Sequence, residues 1–446
     1  AEGQPRERQP IDLFLASLAL DQRERAVGIV LSGTGSDGTL GLKAIKEQAG
    51  LTIAQGSNAA GPRYPEMPAS AVAGGAVDLV LMVEDMPARL AELTAVPGAA
   101  ARTQAAVVAD SAREAARAAI CAILRVHVGH DFAGYKAPTF FRRVQRRMQV
   151  LRLPHLDAYV AHLQSSSEEA GLLFRDLLIG VTGFFRDADA FAALAGLVIP
   201  ALLDGRGPAE TVRVWVPGCA TGEEAYTLAI LLRERMEAVP GGPRAQIFAT
   251  DIDETALGVA RRGRYPAAML SDVGADRLAR FFVADGESYA VSNSLRELCI
   301  FSTHSVIRDP PFSRMDLVSC RNLLIYFGGT LQDAAIPLFH YALRPGGVLF
   351  LGVAETIARY ADLFAAVDKT HHIYRRREHA PAGEVPMQVQ HGSRGGIRTP
   401  AAGQAPRVAH VRSGAELRQA TDACILDQFA PAHVVVNRDG DVVHQS

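Results

Sequence analysis

Cysteine is sparse in this 446-residue chain, and the few present do not pair by spacing. Cys121, Cys219, Cys299, Cys320 and Cys424 are scattered, with no Cys-x-x-Cys and no histidine beside them at ligand spacing. That excludes a disulfide framework and a zinc ribbon, and it points to a reducing, cytoplasmic compartment. Long hydrophobic runs are missing too, so neither a signal peptide nor membrane insertion is expected. Neither sign of charge dominates: 46 Lys and Arg stand against 48 Asp and Glu, which argues against a protein that coats nucleic acid. The 48% hydrophobic content is that of globular protein, and at ~150 residues per domain the length predicts about three domains. An initiator Met is absent and a strand-like run stops at Ser446, so a piece of a larger protein is expected.

The most telling absence is local. A β-branched run (Val212, Val214, Trp215, Val216) ends in Gly218-Cys219-Ala220-Thr221-Gly222-Glu223-Glu224, and a helix-patterned run from Ala225 to Met236 follows. Strand, tight turn and helix in that order predict a ligand site at the strand's carboxyl end. A dinucleotide site needs several glycines in the turn, and a nucleotide-phosphate site needs Gly-Lys-Ser/Thr. Neither is present, and Glu223 and Glu224 would repel a phosphate. The next strand-like run, Gln246 to Thr250, stops on Asp251, where a carboxylate can accept both hydroxyls of a ribose. S-adenosylmethionine, cationic and free of phosphate, fits that combination. The competing reading is an ordinary α/β turn with surface acids.

Composition divides the chain further. Residues 1–95 alternate strands with helices, 96–119 form an Ala-rich linker running into a helix, 120–185 are helical, and 186–377 make a second α/β unit. Residues 378–412, rich in Pro, Gly, Gln and Arg, read as a flexible linker, and 413–446 as a helix and two strands about Asn437-Arg438-Asp439-Gly440. Gly33-Thr34-Gly35-Ser36-Asp37-Gly38 spells a dinucleotide fingerprint, yet the following strand ends in Gln55-Gly56-Ser57-Asn58 with no acid for a ribose. Arg142, Arg143, Arg146 and Arg147 fall on one side of a helix; a solvated face and a docking face for an acidic partner both remain open. Asp309-Pro310-Pro311-Phe312 precedes a strand and is expected to be a turn.

Together these motifs resemble the chemotaxis receptor methyltransferase family, CheR-type, from about Ile120 to Arg377. The resemblance rests on Gly129-His130-Asp131-Phe132 with Tyr135-Lys136, the Arg-rich helix, Thr182-Gly183-Phe184-Phe185-Arg186, the turn at 218–224, Ala249-Thr250-Asp251-Ile252-Asp253, and Cys320-Arg321-Asn322 through Phe327. It implies a Rossmann-like S-adenosylmethionine-dependent methyltransferase domain with a helical N-terminal domain, preceded by a partial doubly wound α/β domain. Thr182, Arg186, Gly218, Glu223, Asp251, Ser305, Val306, Arg321 and Asn322 would bind cofactor. Arg186 and Tyr326 would flank the transferred methyl, and the four arginines would meet acidic methylation segments on cytoplasmic domains of chemoreceptors. The family's Asn two residues before Thr182 is replaced by Gly180.

Residues 1–95 are similar to the end of the receptor methylesterase, CheB-type, so the whole resembles a CheB–CheR fusion in which Asp37 would orient a catalytic histidine. Residues 1–36 hold no histidine, so ester hydrolysis is expected of a longer parent only. Residues 413–446 are similar to the start of a PAS domain, and the fused modules imply a kinase or response-regulator partner. A non-enzymatic signalling adaptor, or a methyltransferase of an amine or nucleic acid, remains as an alternative.

Overall fold

The structure, a computed structural model, describes residues 9–57, 61–94, 105–178, 182–286, 288–378, 434–436 and 442–445. The first α/β unit runs α1 (Pro10–Gln22), β1 (Val27–Val30), α2 (Thr39–Glu47), β2 (Leu51–Gln55), α3 (Glu66–Ala73), β3 (Leu79–Leu81) and α4 (Met86–Thr94). Its strands pair in parallel in the order β1-β2-β3, with α2 and α3 as the crossovers that parallel pairing demands. Leu42 and Ile45 of α2 are fully buried against Leu15 and Ala19 of α1. Leu13, Phe14 and Leu20 on the outer side of α1 stay exposed.

The helical unit comprises α5 (Ala105–Val128), α6 (Ala137–Leu151), α7 (Leu156–Ser165) and α8 (Ser167–Leu178). Each contributes a buried pair four residues apart: Ile120 and Leu124, Phe140 and Val144, Tyr159 and Leu163, Leu173 and Leu177. That spacing puts one apolar stripe per helix into a shared core. Helix α5 runs through the boundary expected at 119/120.

The second α/β unit opens with α9 (Ala188–Leu197), α10 (Ile199–Leu203), β4 (Thr211–Pro217), α11 (Glu223–Ala238), β5 (Arg244–Asp251) and α12 (Glu254–Arg262). A small antiparallel sheet, β6-β8-β7, is built from β6 (Arg264–Pro266), β7 (Phe282–Asp285) and β8 (Ser288–Val291), with α13 (Ala275–Phe281) between β6 and β7. Then come α14 (Asn293–Arg296), β9 (Cys299–Thr303), β10 (Met315–Cys320), α15 (Gly329–Ala342), β11 (Leu343–Leu351), β12 (Phe364–Asp368) and β13 (Ile373–Arg376). The main sheet has the order β12-β13-β11-β10-β4-β5-β9; β13 pairs antiparallel with both β11 and β12, and the remaining pairs are parallel. All six residues of β10 are buried, because helices cover both faces of a parallel sheet. From β4 the chain moves outward through β5 to β9, then returns to place β10 on the other flank of β4. Strand order reverses there, and such a switch point opens a crevice at the strands' carboxyl ends.

A separate unit, from Gln390 on, contains β14 (Val434–Val436) and β15 (Val442–Gln445), which pair antiparallel. The rest of the expected PAS-like segment, and the expected linker from residue 379, lie outside the described residues. Among the described residues, no helix is long and apolar enough to cross a membrane.

Candidate active site

A cleft open to solvent occupies the switch point. Its floor is the β4–α11 turn, and the turn's shape follows from Gly222, whose φ is +97°. A Cβ there would stand 2.8 Å from Ala260 Cβ, so any other residue would be strained and would push α12 away. Tyr265 Oη donates to Thr221 O at 2.6 Å and fixes the turn from behind.

The turn is clamped to the next strand by Asp251. Its Oδ2 accepts from Ala220 N at 2.8 Å and its Oδ1 from Asp253 N at 2.9 Å. Each carboxylate oxygen thus spends one lone pair on the backbone and keeps another for a donor in the cleft. Burial raises the Asp251 pKa above the ordinary carboxylate value, opposed by those two N–H groups.

Gly218, Asp251, Ser305, Val306, Arg321, Asn322, Thr182, Arg186 and Tyr326 are all brought to the wall of this cleft. Glu223 is not. Fully buried, it accepts from Thr221 Oγ1 at 2.8 Å and 2.7 Å and faces Lys43 of α2. The wall position goes to Glu224 instead, because successive residues of a helix start point about 100° apart. Glu224 Oε1 accepts from Ser319 Oγ at 2.7 Å. Burial pushes its carboxyl up to about 7, against the opposing pull of Arg321.

The segment carrying Arg186 is held in an unusual shape, with Phe185 at φ +50° and Asp187 at +61°. Two neighbours hold it. Phe185 N donates to Thr227 Oγ1 at 3.1 Å, and the Arg321 guanidinium donates to Arg186 O at 2.9 Å and Asp187 Oδ2 at 2.7 Å. Arg321 lies between the rings of Phe191 and Phe350, 4.7 and 4.8 Å from their centroids, contacts worth about 2 kcal/mol when desolvated. Arg321 therefore touches the cleft and also shapes the Arg186 segment. The segment from Asn322, at φ +60°, is pinned by Glu355, which accepts from Asn322 N, Leu324 N and Gly352 N at 3.0, 2.7 and 2.8 Å.

The helical unit closes the cleft from above. Lys136 N donates to Tyr326 O at 3.0 Å and Gly328 N to Gly134 O at 2.9 Å, with the rings of Tyr135 and Phe327 5.5 Å apart. His130 and Tyr135 thereby join the wall. Burial, then Arg308, lowers His130 to about 4, so the ring is neutral there at physiological pH. Sequence reasoning quoted both residues as motif members without placing them at the site, and it missed Glu224, His304 and Glu355. For Glu355 the available signal was a lone acid following the apolar run that ends at Leu351.

Two expectations need correction. The Arg-rich face is not solvated: the first α/β unit and α8 cover it, and Arg142 is half-buried. Arg143, Arg146 and Arg147 are buried. Arg147 is bonded in bidentate fashion to Glu169 of α8 at 2.9 and 2.6 Å, and the other two reach into the first α/β unit. Arg142 contacts Thr139 Oγ1 at 3.3 Å. The Asp37 carboxylate accepts from Ile11 N at 3.1 Å and Asp12 N at 2.8 Å, capping α1, and the first histidine of the given sequence is His127. Glu223 is the second correction, as described. The expected turn falls a few residues earlier: residues 306–308 form it, with Asp309 Oδ2 accepting from Ser305 N at 2.7 Å, while Pro310-Pro311-Phe312 run on without a turn. Gly180 lies outside the described residues.

Chemically, the cleft presents acids to hydroxyl groups and cations and offers no cradle for a phosphate. No cluster of metal-ligating side chains occurs among the described residues. Residues 180–373 match the family model described as CheR methyltransferase, SAM binding domain; residues 116–178 match CheR methyltransferase, all-alpha domain; residues 2–90 match CheB methylesterase. A chemotaxis protein methyltransferase of Listeria monocytogenes is 31% identical over 241 residues, 54% of this chain and 89% of that protein. Chemotaxis protein methyltransferase 2 of Pseudomonas aeruginosa is 32% identical over 249 residues, 54% of this chain and 86% of that protein. An uncharacterized 104.1 kDa protein of Rhodobacter capsulatus is 40% identical over 385 residues, 82% of this chain, and this chain spans 40% of its length.

Proposed function

The chain belongs to the chemotaxis protein methyltransferase family, CheR, and from that premise we propose that it esterifies glutamate side chains on cytoplasmic segments of chemoreceptors. The observation that carries this reading is Asp251, whose carboxylate is locked by the amide of Ala220 at the rim of a cleft whose second acid is Glu224. One carboxylate for a ribose and one for a cationic centre suit S-adenosylmethionine, the ligand named in the matched domain. Thr182, Gly218, Ser305, Val306 and Asn322 would complete its surroundings.

When bound, S-adenosylmethionine supplies a sulfonium methyl group, and a glutamate side chain, ionised at neutral pH, needs no base to accept it. Consistent with that, His130 is held neutral and the Tyr326 hydroxyl is raised above its ordinary pKa by burial, so neither is required as a base. The protein's contribution is alignment and exclusion of water. Arg186 supplies a charge that steers an incoming carboxylate, and its position depends on Thr227 and Arg321. The residues matched to CheB methylesterase contain no histidine, so no hydrolysis is proposed for them in this chain.

The test is incubation with methyl-labelled cofactor and receptor cytoplasmic fragments. Label released by mild base supports a carboxyl ester. Base-stable label points to an amine or nucleic-acid methyltransferase, and no transfer by a chain that still binds the cofactor points to an adaptor.

A further inference from the structure

The first α/β unit sits directly on the arginines expected to meet substrate. Arg143 donates to Lys46 O at 2.6 Å and Glu47 O at 2.8 Å, closing the last carbonyls of α2. Arg146 pairs with Asp78, Nε to Oδ2 at 3.1 Å, and Lys46 Nζ stands 3.6 Å from the same carboxylate. In the reverse direction, Arg89 of α4 donates to Gln149 O and Val150 O at the end of α6. Val150 packs into the apolar cluster of Leu51, Ile53 and Met86. Each unit thus caps a helix end of the other.

Glu47 has no local reason to be acidic. It is the last residue of α2, where the helix dipole disfavours a carboxylate and favours a cation. Its partner lies across the contact: Glu47 Oε1 is 3.5 Å from Arg186 Nη2. Arg143 and Tyr326 complete the surroundings, since Arg143 binds the Glu47 carbonyl and the charges of Arg143, Glu47 and Arg186 all act on the Tyr326 hydroxyl. A glutamate carboxylate therefore already faces the two residues assigned to the substrate side of the cleft.

We propose that residues 9–94 form an intramolecular lid on the transferase, with Glu47 standing in for the substrate carboxylate at Arg186, so that receptor methylation requires this unit to leave α6. The inference rests on the glutamate-methyltransferase reading. It deepens that reading by making access to the acceptor side, and not to the cofactor side, the controlled step. On the cofactor side the lid's Lys43 faces the buried Glu223 behind the turn, whereas Asp251 and Glu224 are bonded to Ala220, Asp253 and Ser319 of the transferase.

The experiment uses the whole chain with Glu47→Lys, which suits the end of α2, and Glu47→Gln, which keeps the shape and removes the charge. Three quantities are read: kcat/KM for receptor fragments, affinity for S-adenosylhomocysteine, and hydrogen exchange across residues 137–151. Glu47→Lys is expected to raise kcat/KM at least about fivefold, as the open fraction grows, through a lower KM. Glu47→Gln should rise less, exchange in 137–151 should quicken, and S-adenosylhomocysteine affinity should stay unchanged. If wild type methylates receptor and the variants match it in kcat/KM and exchange, the lid is refuted while the methyltransferase reading stands. Methyl found on Glu47 itself also refutes it, since the residue would then be an acceptor. If no variant and not the wild type methylates receptor, yet all bind S-adenosylhomocysteine, the functional reading fails and takes the lid with it.

Discussion

Replacing Asp251 by Ala probes the cofactor side most directly. The carboxylate holds Ala220 N at 2.8 Å and Asp253 N at 2.9 Å, and its free lone pairs face the cleft. A hydrogen bond to a charged group is worth about 1.5–3 kcal/mol, and two ribose hydroxyls would bond here. Water partly replaces the lost acceptor in an open cleft, so the lower end applies, a loss of about 3 kcal/mol or roughly 150-fold in Kd. Asp251→Asn keeps one acceptor oxygen and should lose roughly half of that free energy, about tenfold. Calorimetry with S-adenosylhomocysteine, which cannot turn over, measures both variants, and a thermal melt checks that each is folded. A folded Asp251→Ala protein that binds within about threefold of wild type would refute the ribose assignment, since so small a change is below the value of one charged hydrogen bond.

Because the Glu224 carboxyl sits at about 7 and a cationic ligand favours its ionised form, cofactor affinity should be flat above about pH 7 and fall by up to tenfold per pH unit below it. Calorimetry in buffers of different ionisation enthalpy should show proton release on binding below that pH, and Glu224→Gln should abolish it; an unchanged pH profile in Glu224→Gln would exclude this carboxyl. The same group alters stability with a definite sign: its folded value of about 7 lies above the ordinary 4.5, so its contribution is greatest below 4.5 and is lost as pH rises through 7. Asp37→Ala should cost about 1 kcal/mol of stability by uncapping α1, read by denaturant melts of the first unit, with no ester hydrolysis before or after. Hydrolysis of glutamyl methyl esters that Asp37→Ala abolishes would reveal a nucleophile and base that the present assignment omits.

Much of the fold was legible in the residue pattern. Apolar runs of strand length ending in tight turns marked β4 and β5, and four-residue spacings marked the helical unit, because both periodicities arise from backbone geometry within a few residues. The cofactor turn belongs to the same class: Gly218 to Glu224 and Asp251 carry their chemistry in a strand, turn and helix that any such sheet juxtaposes in one way. The absence of a phosphate-binding loop was equally visible, since it depends on residue identity alone.

What needed the tertiary structure was every contact between distant segments. Glu223 and Glu224 are neighbours in sequence, and only the rotation of α11 against the sheet decided that the second, and not the first, faces the cleft. Glu355 closes a segment some thirty residues earlier, and nothing near it in sequence announces the three N–H groups it receives. The arginines of α6 show the distinction most sharply. Their one-sided spacing was readable, but a charged stripe is compatible with solvent, with a partner, or with burial against carbonyls and carboxylates. The choice was made by Glu169 of α8 for Arg147, and for Arg143 and Arg146 by Lys46, Glu47 and Asp78, at least sixty residues away. Local pattern determines which groups a chain can present; what they meet is set by the free energy of docking whole units, which the desolvation and pairing of those charges govern.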